Sequence, residues 1–116
     1  MITRKIGFKQ EKIALGFLRK KGLKLIKQNF NTKYGEIDII MRDNTQIIFI
    51  EVKYRKSDLY GQASEMVTYS KQKKIINTST CFLKKYNLYD KIPIRFDVIS
   101  INNNPISPIE WIQNAF

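Results

Sequence analysis

Two apolar runs interrupted by charge constrain this chain more than anything else in it: Gly35-Glu36-Ile37-Asp38-Ile39-Ile40 and Ile47-Ile48-Phe49-Ile50-Glu51-Val52-Lys53-Tyr54. Both read as buried strand, rich in β-branched and aromatic residues. A charge inside such a run is expensive unless it is paired, hydrogen-bonded or bound to a metal. Arg42-Asp43-Asn44-Thr45 between them has hairpin-type residues, so the two strands are expected to pair antiparallel. With Asp43-Asn44 as a two-residue loop, Arg42 pairs with Thr45, Ile40 with Ile47 and Asp38 with Phe49. Asp38 then shares a face with Phe49, Glu51 and Lys53. Glu51 becomes its diagonal neighbour, with Cα atoms about 7–8 Å apart. A slip of one residue would turn Asp38 to the opposite face.

The remaining elements follow from periodicity. Residues 5–21 read as a helix whose apolar stripe includes Ile13, Ala14, Phe17 and Leu18, closed by Arg19-Lys20-Lys21 and Gly22. Glu11 lies three, four and seven positions before Ala14, Leu15 and Leu18, which puts it on the inward stripe. Residues 23–31, 34–42 and 46–55 read as strands. A long helix over 63–86, preceded by Gly61, and a strand from Ile92 to Ile101 come next. A turn at Asn102-Asn103-Asn104-Pro105 leads to a short element around Ile109-Glu110-Trp111-Ile112. The order α-β-β-β-α-β plus a short C-terminal element implies an α/β fold with a mixed sheet flanked by helices. At 116 residues, one domain spanning 1–116 is expected.

Composition narrows the chemistry. The chain has no histidine and one cysteine, Cys81. That excludes disulfide frameworks, the usual Cys/His zinc sites, and nucleophile systems that need a histidine base. Carboxylates, lysines, hydroxyls and a hard cation remain. The formal charge is +11, and it is concentrated in the first 35 residues and the C-terminal half, while acids gather at 36–62. Basic flanks around an acidic pocket suit a polyanion whose scissile group lies over a cation. No run approaches the roughly 20 apolar residues of a membrane span, and the start lacks a secretory leader pattern. Cytoplasm is the expected compartment.

Asp38 and Glu51, with Lys53 two positions on, have the pattern of a divalent-metal phosphodiesterase site. Mg²⁺ or Mn²⁺ prefers oxygen ligands and keeps several waters, so a few carboxylates plus phosphate suffice. Asp38 and Glu51 are the candidate ligands, with the Val52 carbonyl as a helper. Lys53 would orient or help deprotonate water and stabilise developing negative charge. Glu11 would complete the metal shell or hold one of its waters. Lys9, Arg55, Lys56, Lys71, Lys73 and Lys74 are the candidate nucleic-acid contacts; Gln62 and Lys71 are also candidates for contact with phosphate or the active site, a solvated helix face being the alternative for Lys71. The competing structural reading makes Glu51 and Lys53 a neighbouring ion pair on an exposed face, with Asp38 paired to Arg42 or Arg55. Glu36 reads as a rim charge and Asp97 as a structural partner of Arg95 or of a helix. Cys81 reads as core; Tyr34, Tyr54 and Tyr60, near the site, have two readings, stacking on bases or packing in the core, of which core is the safer.

Gly35-Glu36-Ile37-Asp38-Ile39-Ile40, Phe49-Ile50-Glu51-Val52-Lys53-Tyr54-Arg55 and Arg95-Phe96-Asp97-Val98 together resemble the YraN-like bacterial protein family. That family is similar to archaeal Holliday junction resolvases and belongs with the PD-(D/E)xK nuclease superfamily. The resemblance extends from Gly7 and Glu11 through Gly22, Asn29-Phe30, Gly61 and Lys71 to the final Trp111-Ile112-Gln113-Asn114-Ala115-Phe116. It implies a restriction-endonuclease-like fold, with Asp38, Glu51 and Lys53 at the catalytic positions and Glu11 at the helix-1 acidic position. It also implies Mg²⁺ and makes a homodimer plausible. Ile37 stands where the superfamily motif often has proline.

Three functions remain distinct at this level. The first is a metal-dependent endonuclease acting on branched or structured DNA. The second is a catalytically silent nucleic-acid-binding module. The third is an interaction protein with a basic surface.

Overall fold

The computed structural model describes residues 2–55 and 67–116, with side chains from Gly7 onward except at position 8. The element order is α1 (Ile2–Lys20), β1 (Lys24–Thr32), β2 (Gly35–Arg42), β3 (Ile47–Tyr54), α2 (Tyr69–Lys85), β4 (Ile94–Ile101) and β5 (Ile109–Ile112). The five strands form one mixed sheet in the order β1-β2-β3-β4-β5. Only β3 and β4 run parallel, and α2 lies in the connection between them, as a parallel crossover requires. This is the mixed sheet with flanking helices expected from the sequence.

Strand alternation gives each helix its own core. Ile39, Met41, Ile48, Ile50, Ile99 and Ile101 pack with Ala14, Leu15 and Leu18 of α1. Ile40, Ile47, Phe49 and Val98 pack with Ile75, Phe82 and Leu83 of α2. Phe49 is the hinge of the second core: it stacks on Phe96 and meets Phe82 edge-on.

Helix ends follow local chemistry. At the C-terminus of α1, the Leu23 amide donates to Leu18 O (3.1 Å) and the Gly22 amide to Arg19 O (3.0 Å). Gly22 has φ +96°, the left-handed conformation such a stop needs. The second helix starts later than its periodicity suggests. Thr68 is its N-cap, its hydroxyl accepting from the Lys71 amide at 3.2 Å. Of the expected 63–86 span, residues 63–66 lie outside the described residues, as do Gly61, Gln62 and Tyr60.

The β2–β3 register corrects the sequence reading in one respect. Arg42 pairs with Ile47, Ile40 with Phe49 and Ile39 with Ile50. The turn is centred on Asn44-Thr45, not Asp43-Asn44. The Asp43 carboxylate causes this, because Oδ1 accepts from the Thr45 amide (2.8 Å) and the Gln46 amide (2.9 Å). Each partner therefore moves by two residues, which preserves the face. Asp38 stays on Glu51's side of the sheet and comes opposite it instead of diagonal to it.

The C-terminal segment is tied down through Asp97, which is fully buried. Its two oxygens accept from Arg95 Nε (2.8 Å) and Nη2 (2.9 Å), from Trp111 Nε1 (2.9 Å) and from the Asn114 amide (2.9 Å). The structural role expected for Asp97 with Arg95 is thus borne out, and the indole and the Asn114 amide extend it.

Candidate functional site

Asp38 and Glu51 sit where β2 and β3 part, one residue beyond the last ladder pair, Ile39 with Ile50. In place of a further ladder bond, the Val52 amide donates to Asp38 Oδ2 at 2.9 Å. Glu51 is only 6% exposed. Burial pushes its carboxyl up to about 8, helped by the Asp38 charge and a carboxyl–carboxyl hydrogen bond to Asp38. Lys71 and Lys53 pull it back only in part.

Two ammonium groups close over this carboxyl. Lys71 Nζ is 3.3 Å from Glu51 Oε1, and Lys53 Nζ is 4.0 Å from the same oxygen. Burial lowers the affinity of Lys53 for its proton, and the adjoining Lys71 lowers it further. For Lys71, burial also acts downward, but Lys53, Glu51 and Asp38 outweigh it and the net shift is upward. The pair therefore divides into a weaker and a stronger acid. In the sequence Lys71 is one of many lysines, and only the α2 crossover brings it closer to Glu51 than Lys53 is.

Glu11 reaches the same cleft from α1. The cleft is lined by Gly7, Gln10, Glu11, Asp38, Glu51, Val52, Lys53, Tyr54 and Lys71. Burial, then the charges of Asp38 and Glu36, push Glu11 up to about 7. Asn29 restrains it. With its amide nitrogen facing the acids, Asn29 donates to Glu11 Oε1 (2.9 Å) and Glu36 Oε1 (2.7 Å). Asn29 holds this position at φ +53°, a left-handed conformation within a strand. The sequence carried one unused signal for it, an asparagine in an otherwise strand-like segment.

The donor set suits a hard divalent cation. The carboxylates offer only oxygen, and buried Glu51 beside Asp38 is pushed toward its neutral form, whereas a cation would stabilise its charge. Gln10 Oε1, in the same cleft, is a buried acceptor with no hydrogen-bond partner. Glu11 does not complete a closed cage: among the described residues no three His, Cys, Asp or Glu side chains converge as one ligand cluster.

The family model for the uncharacterised protein family UPF0102 matches residues 10–101, a span that contains every residue of this cleft except Gly7. The chain belongs to this family. It is 45% identical to the UPF0102 protein of Vibrio parahaemolyticus over 112 residues, covering 97% of this chain and 92% of that one. A Legionella pneumophila UPF0102 protein is 42% identical over 115 residues, covering 99% and 97%. One from Francisella tularensis is 46% identical over 117 residues, covering 100% and 97%. The YraN-like resemblance read from the motifs is thereby upheld.

Within this UPF0102 chain, the expected nucleic-acid contacts separate. Lys9, Lys73 and Lys74 are exposed, and Lys71 stands at the carboxylates. Arg55 is not a surface cation: it is buried at the end of β3, where its amide donates to Ile101 O at 2.7 Å. Lys56 lies outside the described residues. Glu36 is on the rim as expected. Tyr34 is 42% exposed, Tyr54 is exposed too, and Cys81 is only half-buried, so none of the three is the core residue the sequence suggested. Among the described residues, no helix is long and apolar enough to cross a membrane.

Proposed function

We propose that this chain is a metal-dependent DNA endonuclease, a single nuclease-like domain acting on branched or otherwise structured DNA. The observation that carries this is the carboxyl pair of half-buried Asp38 and buried Glu51 beneath Lys53 and Lys71. Two carboxylates so placed repel each other when both are ionised, and a cation between them would relieve that repulsion. Asp38 and Glu51 would hold Mg²⁺ or Mn²⁺, with Glu11 acting directly or through a water and the Val52 carbonyl assisting. With the cation bound, such a site supplies Lewis-acid neutralisation of phosphate charge.

The chain's own residues do the rest. Lys53, whose ammonium gives up its proton more readily than an ordinary lysine's, takes a proton at Nζ from the attacking water and is the base at this site. Lys71 keeps its proton and holds a non-bridging phosphate oxygen as a fixed charge. Asn29 keeps Glu11 turned toward the cleft. The exposed lysines on α1 and α2 draw the polyanion in, which makes association salt-dependent. The resemblance to resolvases supports the choice of branched DNA and of a homodimer.

The test is cleavage of a panel of four-way junctions, flaps, duplexes and single strands with Mg²⁺ or Mn²⁺. Cleavage should disappear in Asp38→Asn and Lys53→Ala while DNA binding persists. Metal-dependent binding without cleavage of any substrate would move the chain to the silent binding module.

A further inference from the structure

The carboxylate cleft continues along one side of α2. Gly35 and Glu36 form one wall beside Asp38 and Glu51, and Ser70, Lys71 and Lys74 of the helix form the other. Gly35, at φ +150°, brings the β1–β2 turn against the helix; a Cβ built there would lie 3.6 Å from Lys74 Cβ. Beyond this point a second depression is lined by Tyr34, Asn77, Thr80, Cys81 and Lys84. Lys71, Lys74, Asn77, Cys81 and Lys84 recur every three or four residues, so the two depressions lie along one stripe of α2.

Charge and ring exposure along this track point to one kind of occupant. Residues 23–35 and 67–89 contain eight lysines and not one acid. The tyrosines on and beside α2 are exposed with an ammonium near each ring, and Tyr34 among them lines the groove. Lys33 Nζ is 5.2 Å from the Tyr34 ring centre, Lys73 is 5.2 Å from Tyr69 and Lys84 is 5.1 Å from Tyr89. Tyr34 is 42% exposed and Tyr69 is 73% exposed. A basic groove punctuated by open ring faces is the arrangement that binds unpaired strands, where phosphates meet lysines and unstacked bases find a π-surface. A duplex keeps its bases stacked and has no use for those rings.

We propose that the α2 groove takes a single unpaired DNA strand, with a base stacked on Tyr34 and the phosphates following Lys84, Lys74 and Lys71 toward Asp38 and Glu51. The choice of DNA, and of the carboxylates as the destination, rests on the endonuclease reading above; the groove itself does not. The unpaired segment is then the part of a branched substrate that this protein recognises.

The experiment is fluorescence anisotropy in EDTA, where nothing is cut, using labelled oligo(dT) of about a dozen nucleotides, within the site size such grooves cover. A duplex of equal length, wild type, Tyr34→Ala and Tyr34→Phe complete the set. Oligo(dT) should bind more tightly than duplex. Tyr34→Ala should weaken oligo(dT) about tenfold and leave duplex binding unchanged, and Tyr34→Phe should match wild type. Bound oligo(dT) should also slow reaction of Cys81, the chain's one thiol, with a maleimide. The proposal is overturned if Tyr34→Ala binds oligo(dT) as wild type does, if duplex binds more tightly, or if polyglutamate displaces oligo(dT) at equal charge concentration. Tyr34-dependent binding without cleavage in Mn²⁺ would sink only the nuclease reading. Cleavage indifferent to Tyr34→Ala would sink only the groove.

Discussion

Asp38 and Glu51 meet across the open end of the β2–β3 hairpin, joined carboxyl to carboxyl, while the Val52 amide holds Asp38 Oδ2 at 2.9 Å. That contact turns two charges in apolar strands into one chemical unit. Burial, with the Asp38 charge beside it, favours the protonated form of Glu51. A unit of this kind exchanges its proton for a cation, and stability, metal affinity and chemistry then all depend on the same two side chains.

Stability should fall as pH rises through neutrality. Glu11 and Glu51 are raised from 4.5 to about 7 and about 8 in the fold. The folded state therefore holds protons that the unfolded chain gives up near 4.5, and their contribution is lost as pH climbs through 7 and 8. Without divalent cations, Tm should drop by roughly 5–10 °C between pH 6 and 8.5. Glu51→Gln should flatten most of that slope, as followed by thermal unfolding across the pH series. A Tm that rises over this range would contradict the assignment.

Asp97 should be the costliest polar residue to lose. Asp97→Ala strands the half-buried Arg95 guanidinium, the Trp111 N–H and the Asn114 amide at once. Removing one partner of a buried charge pair costs about 3–5 kcal/mol. Urea unfolding should report a loss of that size, with the C-terminal strand β5 exchanging its amide hydrogens first. A change under about 1 kcal/mol would mean that the tail is held chiefly by Phe96 on Phe116 and Phe17 on Trp111.

Asn29 separates backbone strain from electrostatics. Asn29→Gly keeps the φ of +53° at no steric cost and removes the amide from Glu11 and Glu36. Since that amide lowers Glu11, the variant should titrate Glu11 above its value of about 7, seen in carboxyl-carbon NMR shifts. Asn29→Ala should show the same shift and in addition lose about 1 kcal/mol from the left-handed backbone. An unmoved Glu11 in both variants would remove Asn29 from the site.

The hairpin and its charged face were legible in the sequence because side-chain alternation survives any even shift in register. The turn's centre was not, because the Asp43 carboxylate, and not the residue types of the loop, decides where the chain reverses. Glu11 was legible by helical spacing from Ala14 and Leu18. Lys71 was legible as a candidate for phosphate or the active site, but not separable from a solvated helix face, since its place beside Glu51 depends on the α2 crossover and on Thr68 starting that helix. Arg55 misled for the opposite reason: a charged residue after a strand looks exposed until the parallel partner β4 covers it.

Calorimetric titration of Mn²⁺ into the protein at pH 8 tests the central claim most directly. The account predicts one saturable site in wild type, proton release on binding, and loss of the binding heat in both Asp38→Asn and Glu51→Gln. No binding heat in wild type, or undiminished binding in Glu51→Gln, would contradict it.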